Sequence, residues 1–296
     1  PRLRFALLRE VWPEDLRNRL ANLGSDFATA ALLLEDGQPQ QALDRLNPFV
    51  EKEVAARVIR ARAQLALGNL APAASDLATL AESIGHQLIG KQHTAVMLAQ
   101  TLGQLGRLEE ALEVVESESE RLDDHDPIQL PLAASRAALL EGLQRLEEAE
   151  AACETIVLQA PRDLGLYRML ARIRLGLKNR MGAMQALEGG LNTCCSSPGK
   201  CGNQPFDVAS GRMLARLYLE DRIEPARTSE LLGELDRNVQ QASWDDRYIA
   251  TLVARNSDDP NSDRMALELW SELGERDPRR GWLQSQFKLN QIEAQP

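Results

Sequence analysis

The sequence has 296 residues, a net charge of −10 and a sequence pI near 5.0. So acidic a chain would be repelled by nucleic acid and by anionic lipid, and neither is expected as a partner. No apolar stretch approaches the roughly 18 residues that span a bilayer. Aromatic residues make up only 4% of the chain, whereas Ala, Leu, Glu, Arg and Gln, which lose little entropy in a helix, dominate. The composition therefore predicts an all-α protein.

The N-terminal residues 1–22 are predicted to form capping helices, broken at Trp12-Pro13 because proline suits the first turn of a new helix. The chain begins with Pro1 rather than Met, from which we expect the native N-terminus to be missing. A signal peptide, an anchor or a catalytic domain would then precede residue 1 unseen. The localisation stays open between cytoplasm and periplasm.

Alanines recur along the next 250 or so residues with a repeating phase. A small residue in one helix and another in the next allow two antiparallel helices to approach closely. Turn signals such as Leu67-Gly68-Asn69 lie between the two positions, where a glycine ends a helix well. The first alanines are Ala30, Ala61, Ala99, Ala137, Ala171, Ala215 and Ala254, and twelve residues later come Ala42, Ala73, Ala111, Ala149, Ala183, Arg227 and Ala266.

This pattern resembles the tetratricopeptide repeat, a helix-turn-helix unit of about 34 residues. The fifth unit carries Tyr167, Leu170-Ala171 and Ala183, and Pro161 ends the fourth. The resemblance implies an all-α, right-handed superhelix (an α-solenoid) of about seven antiparallel helix pairs. The array would cover residues 23–280, with helices at 1–22 and at 281–296 as its caps.

The resemblance also implies that the first helix of each pair lines a concave groove. The groove positions include Phe27, Ala31, Val58 and His93 early in the chain, and then a row of five arginines. We call Arg168, Arg172, Arg212, Arg216 and Arg255 the arginine row. Because a guanidinium is a rigid fork that suits carboxylate and phosphate, the row would bind an acidic peptide, a C-terminal carboxylate or a phosphorylated segment. The alternative is ordinary solvated arginines, paired with acids such as Glu220 or Asp221.

An insertion at residues 193–204, between the fifth and sixth pairs, contains Cys194, Cys195 and Cys201. These cysteines could form a disulfide, remain free thiols or bind a metal ion. Cys153 stands at a core position and is expected to be a small buried hydrophobe.

No arrangement of residues predicts catalysis. His86, His93 and His125 stand apart in the sequence, without an acid-His-nucleophile set or a zinc motif. The sequence therefore predicts a scaffold or adaptor that binds a protein or peptide, without a cofactor and without enzymatic activity. The alternative is a regulatory or targeting module of a larger enzyme or of a secretion or envelope assembly.

Overall fold

The computed structural model describes residues 2–10, 12–89, 92–194 and 206–287. It divides into two compact units, unit 1 (Pro1–Gln159) and unit 2 (Ala160–Pro296). Seventeen α-helices lie in the described ranges, so the prediction of an all-α fold built from consecutive helix pairs is confirmed.

Unit 1 contains two N-terminal helices and then four helix pairs. The N-terminal helices are α1 (Arg2–Glu10) and α2 (Glu14–Ala21). The pairs are α3 (Gly24–Glu35) with α4 (Pro39–Val50), α5 (Arg57–Ala66) with α6 (Leu70–Ile84), α7 (Thr94–Gln104) with α8 (Leu108–Arg121), and α9 (Gln129–Gly142) with α10 (Leu146–Gln159). A 3₁₀ turn at Val54–Ala56 precedes α5, and β1 (Leu88–Ile89) pairs with β2 (Gln92–His93) before α7.

Unit 2 contains three helix pairs and a final helix. The pairs are α11 (Leu164–Gly176) with α12 (Arg180–Cys194), α13 (Val208–Asp221) with α14 (Pro225–Asn238), and α15 (Trp244–Asn256) with α16 (Ser262–Ser271). The final helix is α17 (Arg279–Gln286).

The phased alanines lie where the two helices of a pair meet. Six of the seven first alanines and all six second alanines are 0% exposed, and only Ala254 is half-buried. Because alanine carries nothing beyond Cβ, the facing helix can pack closely against it and bury the apolar residue one turn later. Leu46, Leu77 and Leu187, each four residues after a second alanine, are 0% exposed. The alanine phase is therefore the contact that forms each pair.

The turns inside the pairs share one geometry. Each contains a residue in the left-handed region, and the amide after that residue donates to a carbonyl five residues earlier, which closes the end of the first helix. Examples are Asn69 N to Gln64 O at 2.9 Å and Asn179 N to Arg174 O at 2.8 Å. The left-handed residues are Gly37, Gly68, Gly106, Gln144, Lys178, Arg222 and Asp258.

Successive pairs pack side by side within each unit, with one exception. The second helix of a pair packs against the first helix of the next, as α4 does against α5, α6 against α7, α8 against α9 and α12 against α13. Between the fully described helices α14 and α15 there is no comparable packing, although α13 and α15 are in contact. A gap therefore separates the second helix of the sixth pair from the seventh.

The N-terminal helices pack against a residue of unit 1 that was expected to line the groove. The ring of Phe5 on α1 lies edge-on to Trp12 and to Phe27, at centroid distances of 6.0 and 6.3 Å. Phe27 is 0% exposed, Ala31 is 1% exposed and Val58 is 0% exposed. The expectation that these three residues line a groove is therefore wrong, because they belong to the core of unit 1.

The close helix crossing makes a direct prediction at Ala137 on α9. Replacing Ala137 by Leu adds three carbons where the neighbouring helix leaves no room, so we expect a loss of about 3 kcal/mol in the free energy of unfolding. The next residue, Ala138, is exposed and supplies the matched control. Ala138→Leu should change stability by less than about 0.5 kcal/mol. Urea unfolding measures both, and equal losses would contradict close packing at Ala137.

Candidate functional site

The arginine row lies on the first helices of unit 2. Arg168 and Arg172 are one turn apart on α11, Arg212 and Arg216 are one turn apart on α13, and Arg255 is near the end of α15. Residues four apart share a helix face. Arg172 is exposed, and the other four are partly buried. The surroundings of each arginine differ along the row.

Arg168 and Arg212 each reach a carboxylate at the start of the next first helix. Arg168 Nη1 donates to Asp207 Oδ2, at the residue before α13. Arg212 Nε and Nη2 donate to the two oxygens of Asp246, in the first turn of α15, both at 2.7 Å. Burial alone would raise the pKa of Asp246, but hydrogen bonds from Arg212 and Ser243 hold that pKa below its ordinary value. The two arginines thus join consecutive helix pairs.

Arg216 belongs to a half-buried cluster with aromatic residues. Its guanidinium lies over the ring of Trp282 on α17, 3.8 Å from the centroid, and its Nε is 3.7 Å from Glu220 Oε1. The ring of Trp282 lies 6.0 Å from that of Tyr248 and 6.3 Å from that of Trp244. Burial lowers the pKa of Arg216, and the charge of Glu220 opposes that shift.

Glu220 accepts hydrogen bonds from two other elements. Tyr248 Oη donates to Glu220 Oε1 at 3.1 Å, and Arg180 Nη2 donates to Glu220 Oε2 at 2.9 Å. Burial and the nearby Glu220 raise the pKa of Tyr248. Arg180 also bonds both oxygens of Asp221, at 2.8 and 3.0 Å. One carboxylate therefore connects α12, α13 and α15.

Arg255 bonds only to neutral oxygens among the residues that the structure describes. Its Nη2 donates to Leu219 O at 2.9 Å, its Nε donates to Asn256 Oδ1 at 3.1 Å, and its Nη1 donates to Gln286 Oε1. The ring of Phe287 lies 5.7 Å from its guanidinium carbon. Arg216 and Arg255 are thus both in contact with the C-terminal segment that contains α17.

The structure therefore gives most members of the arginine row partners inside the chain. Asp207 and Asp246 engage Arg168 and Arg212, whereas Glu220 lies beside Arg216. Sequence reasoning considered Glu220 and Asp221 as partners but missed Asp207, Asp246 and Arg180. The only signal for the two aspartates was an acid at the start of each following first helix, and Arg180 gave none. A ligand of the row would have to compete with these carboxylates or use the remaining donors, and binding by the row stays a prediction.

The early groove position His93 is buried instead in a cluster in unit 1. The short hairpin of β1 and β2 brings His93 within 6.0 Å of His86, ring to ring, so the two do not stand apart as the sequence suggested. His93 Nε2 lies 3.4 Å from Glu118 Oε1, and both side chains are under 10% exposed. Arg121 donates twice to Glu118, at 2.7 and 2.8 Å. Burial lowers the pKa of both histidines.

The cysteine insertion is only partly visible. Cys194 is the last residue of α12, whereas Cys195 and Cys201 lie outside the described residues. Whether the insertion contains a disulfide, thiols or a metal site stays a prediction. Cys153 is buried on α10, at 0% exposure.

In the described part of the chain, no group of three or more His, Cys, Asp or Glu side chains could hold a metal ion. In the same part, no helix is both long and apolar enough to cross a membrane.

Comparison with known proteins shows the fold. No family model and no curated protein matches the sequence. A tetratricopeptide repeat protein from Parabacteroides merdae superposes with a TM-score of 0.61 at 13% identity, over 89% of this chain and 99% of that one. The pilF protein of Pseudomonas aeruginosa gives 0.54 at 15% identity, over 76% and 95%. The assembly chaperone of RpL4 gives 0.50 at 18% identity, over 79% and 97%.

These likenesses confirm the resemblance drawn from the sequence at the level of the fold. The chain has the fold of tetratricopeptide repeat proteins.

The histidine cluster predicts a loss of stability in mild acid. The folded chain disfavours protonated His86 and His93, so the unfolded chain binds more protons below the ordinary histidine pKa of 6.5. The stability that the two neutral histidines contribute to the folded state is fully present above pH 6.5. It is lost as the pH falls below 6.5 and through their lowered pKa values in the folded state. Between pH 7 and 5.5 we expect urea unfolding to lose more stability in the wild type than in His86→Gln/His93→Gln.

The exposed His125 provides the control for that series. His125→Gln should keep the wild-type pH dependence. Equal losses in the wild type and the double variant would contradict the assignment to the buried pair.

The contact between Trp282 and Arg216 predicts that the Trp282 side chain helps to hold α17 in place. Trp282→Ala removes the ring over which Arg216 lies, together with its contacts with Tyr248 and Trp244. We expect the free energy of unfolding to fall by about 2 kcal/mol. Amide hydrogen exchange across residues 279–286 should become clearly faster. Gln284, exposed on the same helix, gives the control. Unchanged exchange in Trp282→Ala would show that Leu283 and Phe287 suffice to hold α17.

Proposed function

We propose that this chain is a non-catalytic scaffold that holds an acidic segment of a partner protein against the first helices of unit 2. The observation that supports this proposal is the arrangement of Arg168 and Arg212. Each is oriented by an aspartate of the next helix pair and still has about a third or a quarter of its side chain exposed, at 33% and 26%.

Orientation favours binding by such arginines. A guanidinium has five N–H donors, and Arg212 uses Nε and one edge of Nη2 for Asp246. The remaining N–H groups point away from that bidentate pair and can donate to a further carboxylate or phosphate. Because the side chain is already held in one conformation, a ligand does not bear the whole entropy loss of ordering it.

The position of the row suits an extended ligand. Arg168 and Arg172 belong to one helix pair, and Arg212 belongs to the next. A helical repeat array presents such neighbouring first helices as one continuous surface for a partner. The likeness of the fold to the assembly chaperone of RpL4, a protein that by its name assists another protein, agrees with this role.

Binding of acidic peptides to charge-balanced variants tests the proposal. Arg168→Gln/Asp207→Asn and Arg212→Gln/Asp246→Asn remove each pair as a unit, so no buried charge is left alone. The probe is an array of acidic peptides and their amide-substituted counterparts. We expect the combined variant to lose at least about tenfold in affinity for acidic peptides, equivalent to roughly 1.4 kcal/mol.

The exposed pair Arg237 and Glu234 on α14 supplies the matched control. Arg237→Gln/Glu234→Gln should bind as the wild type does. Acidic peptides that bind the combined variant as tightly as the wild type would refute a role for the row.

A further inference from the structure

A cleft opens where the regular packing of unit 2 is interrupted. It lies between α14 and the ends of α13 and α15, with a volume of about 320 Å³. Its walls are mainly apolar, from Leu219, Ile223, Leu232 and Val253, with exposed Ser229 at the rim. This volume is near the lower end of ligand sites, which span about 300–1,000 Å³. It suits one or two side chains rather than a folded element.

The local sequence departs from the regular pattern beside the cleft. The turn before α14 contains two left-handed residues, Arg222 and Glu224, whereas the equivalent turns of the other pairs contain one. Arg227 stands where every other pair has an alanine, and it extends to Glu188 at 2.9 Å. A side chain of this size cannot provide the contact ending at Cβ that alanine provides in the other pairs. The cleft thus lies at the pair that departs from the regular pattern both in its turn and at this position.

One guanidinium of the cleft lining, that of Arg222, has no carboxylate partner in the described structure. The exposed side chain of Arg222 has neither a hydrogen bond nor an ion pair there, and Arg255 on the neighbouring helix α15 bonds only to the neutral oxygens given above. Burial and the nearby charge of Arg222 lower the pKa of Arg255. An exposed guanidinium that lacks a carboxylate partner can donate charge-assisted hydrogen bonds to a bound anion.

The carboxylates of the neighbouring elements do not fill this role in the described structure. Glu220 is already bonded by Arg180 and Tyr248. Glu224 and Asp258, in the adjoining turns, form no ion pair with either arginine. The rim therefore combines an apolar recess with uncompensated positive charge.

We infer that this cleft binds a segment of the partner protein in which an apolar side chain stands next to a carboxylate. The apolar side chain enters between Ile223, Leu232 and Val253, and the carboxylate lies against the guanidinium of Arg222. The inference rests on the proposed function and adds a second element to the recognised segment, an apolar anchor beside the acid.

Fluorescence anisotropy on the full chain tests the inference. The probe is a fluorescein-labelled ten-residue peptide of Ser and Glu with one central Leu. Its matched counterparts have Leu replaced by Ser, or the Glu residues replaced by Gln. We expect each counterpart to bind at least tenfold more weakly.

Two variants locate the binding without disturbing the fold. Arg222→Gln removes an exposed charge that makes no hydrogen bond, and Ser229→Trp fills the cleft from its exposed rim. Each variant should lower the affinity for the Leu-Glu peptide about tenfold or more. Arg237→Gln, on the same helix but outside the lining, should leave the affinity unchanged.

The outcomes separate this inference from the proposed function. If Arg222→Gln and Ser229→Trp bind the peptide as the wild type does, or if no peptide binds, the inference is overturned. Loss of binding only in the variants of Arg168 and Arg212 overturns the cleft and supports the row. Loss only in Arg222→Gln and Ser229→Trp supports the cleft and contradicts the row. A concentration-dependent dimer that Ser229→Trp abolishes would assign the cleft to a second copy of this chain and overturn the inference.

Discussion

The close approach of two helices at a pair of alanines is the contact on which the rest of this structure depends. Once a Cβ atom is all that separates the helices of a pair, the residue one turn further on is buried. Leu46 and Leu77 illustrate this in unit 1, and Leu187 does so in unit 2. The pairs that result place their first helices side by side. The arginines Arg168, Arg212 and Arg255 lie on three successive first helices for this reason.

The single departure from the alanine pattern is also the most informative one. Arg227 replaces a side chain that ends at Cβ with one that reaches Glu188 on another helix pair. The ion pair supports α14 from one side, while the other side is left without close packing against α15. The recess thus lies beside the one pair whose second position is not alanine.

The sequence predicted what depends on short-range pattern. Alanine phase located the helix pairs, and Gly37, Gly68 and Gly106 marked turns because glycine tolerates the left-handed conformation. Arg222 and Asp258 adopt the same conformation without that signal, so their turns could not be recognised in advance. A turn of this kind can be predicted from a single sequence only where its residue type is specific to the left-handed conformation.

Contacts between different helix pairs could not be predicted from the sequence, for a different reason. Arg168 and Asp207 are 39 residues apart, so their meeting depends on how far each pair rotates relative to the previous one. The covering of Phe27 by Phe5 depends likewise on the path of the N-terminal helices. His86 and His93 meet because a short hairpin, which a helical composition does not suggest, folds the chain back between them.

The ion pairs that link helices of unit 2 differ in how strongly they respond to dissolved salt. Arg212 and Asp246 are mostly shielded from solvent, whereas Arg247 and Glu272 are each more than 40% exposed. Dissolved ions weaken exposed pairs far more than shielded ones. Ionic strength therefore acts unevenly on the ion pairs of this unit. Added salt weakens the link between α15 and the end of α16 more than the link between α13 and α15.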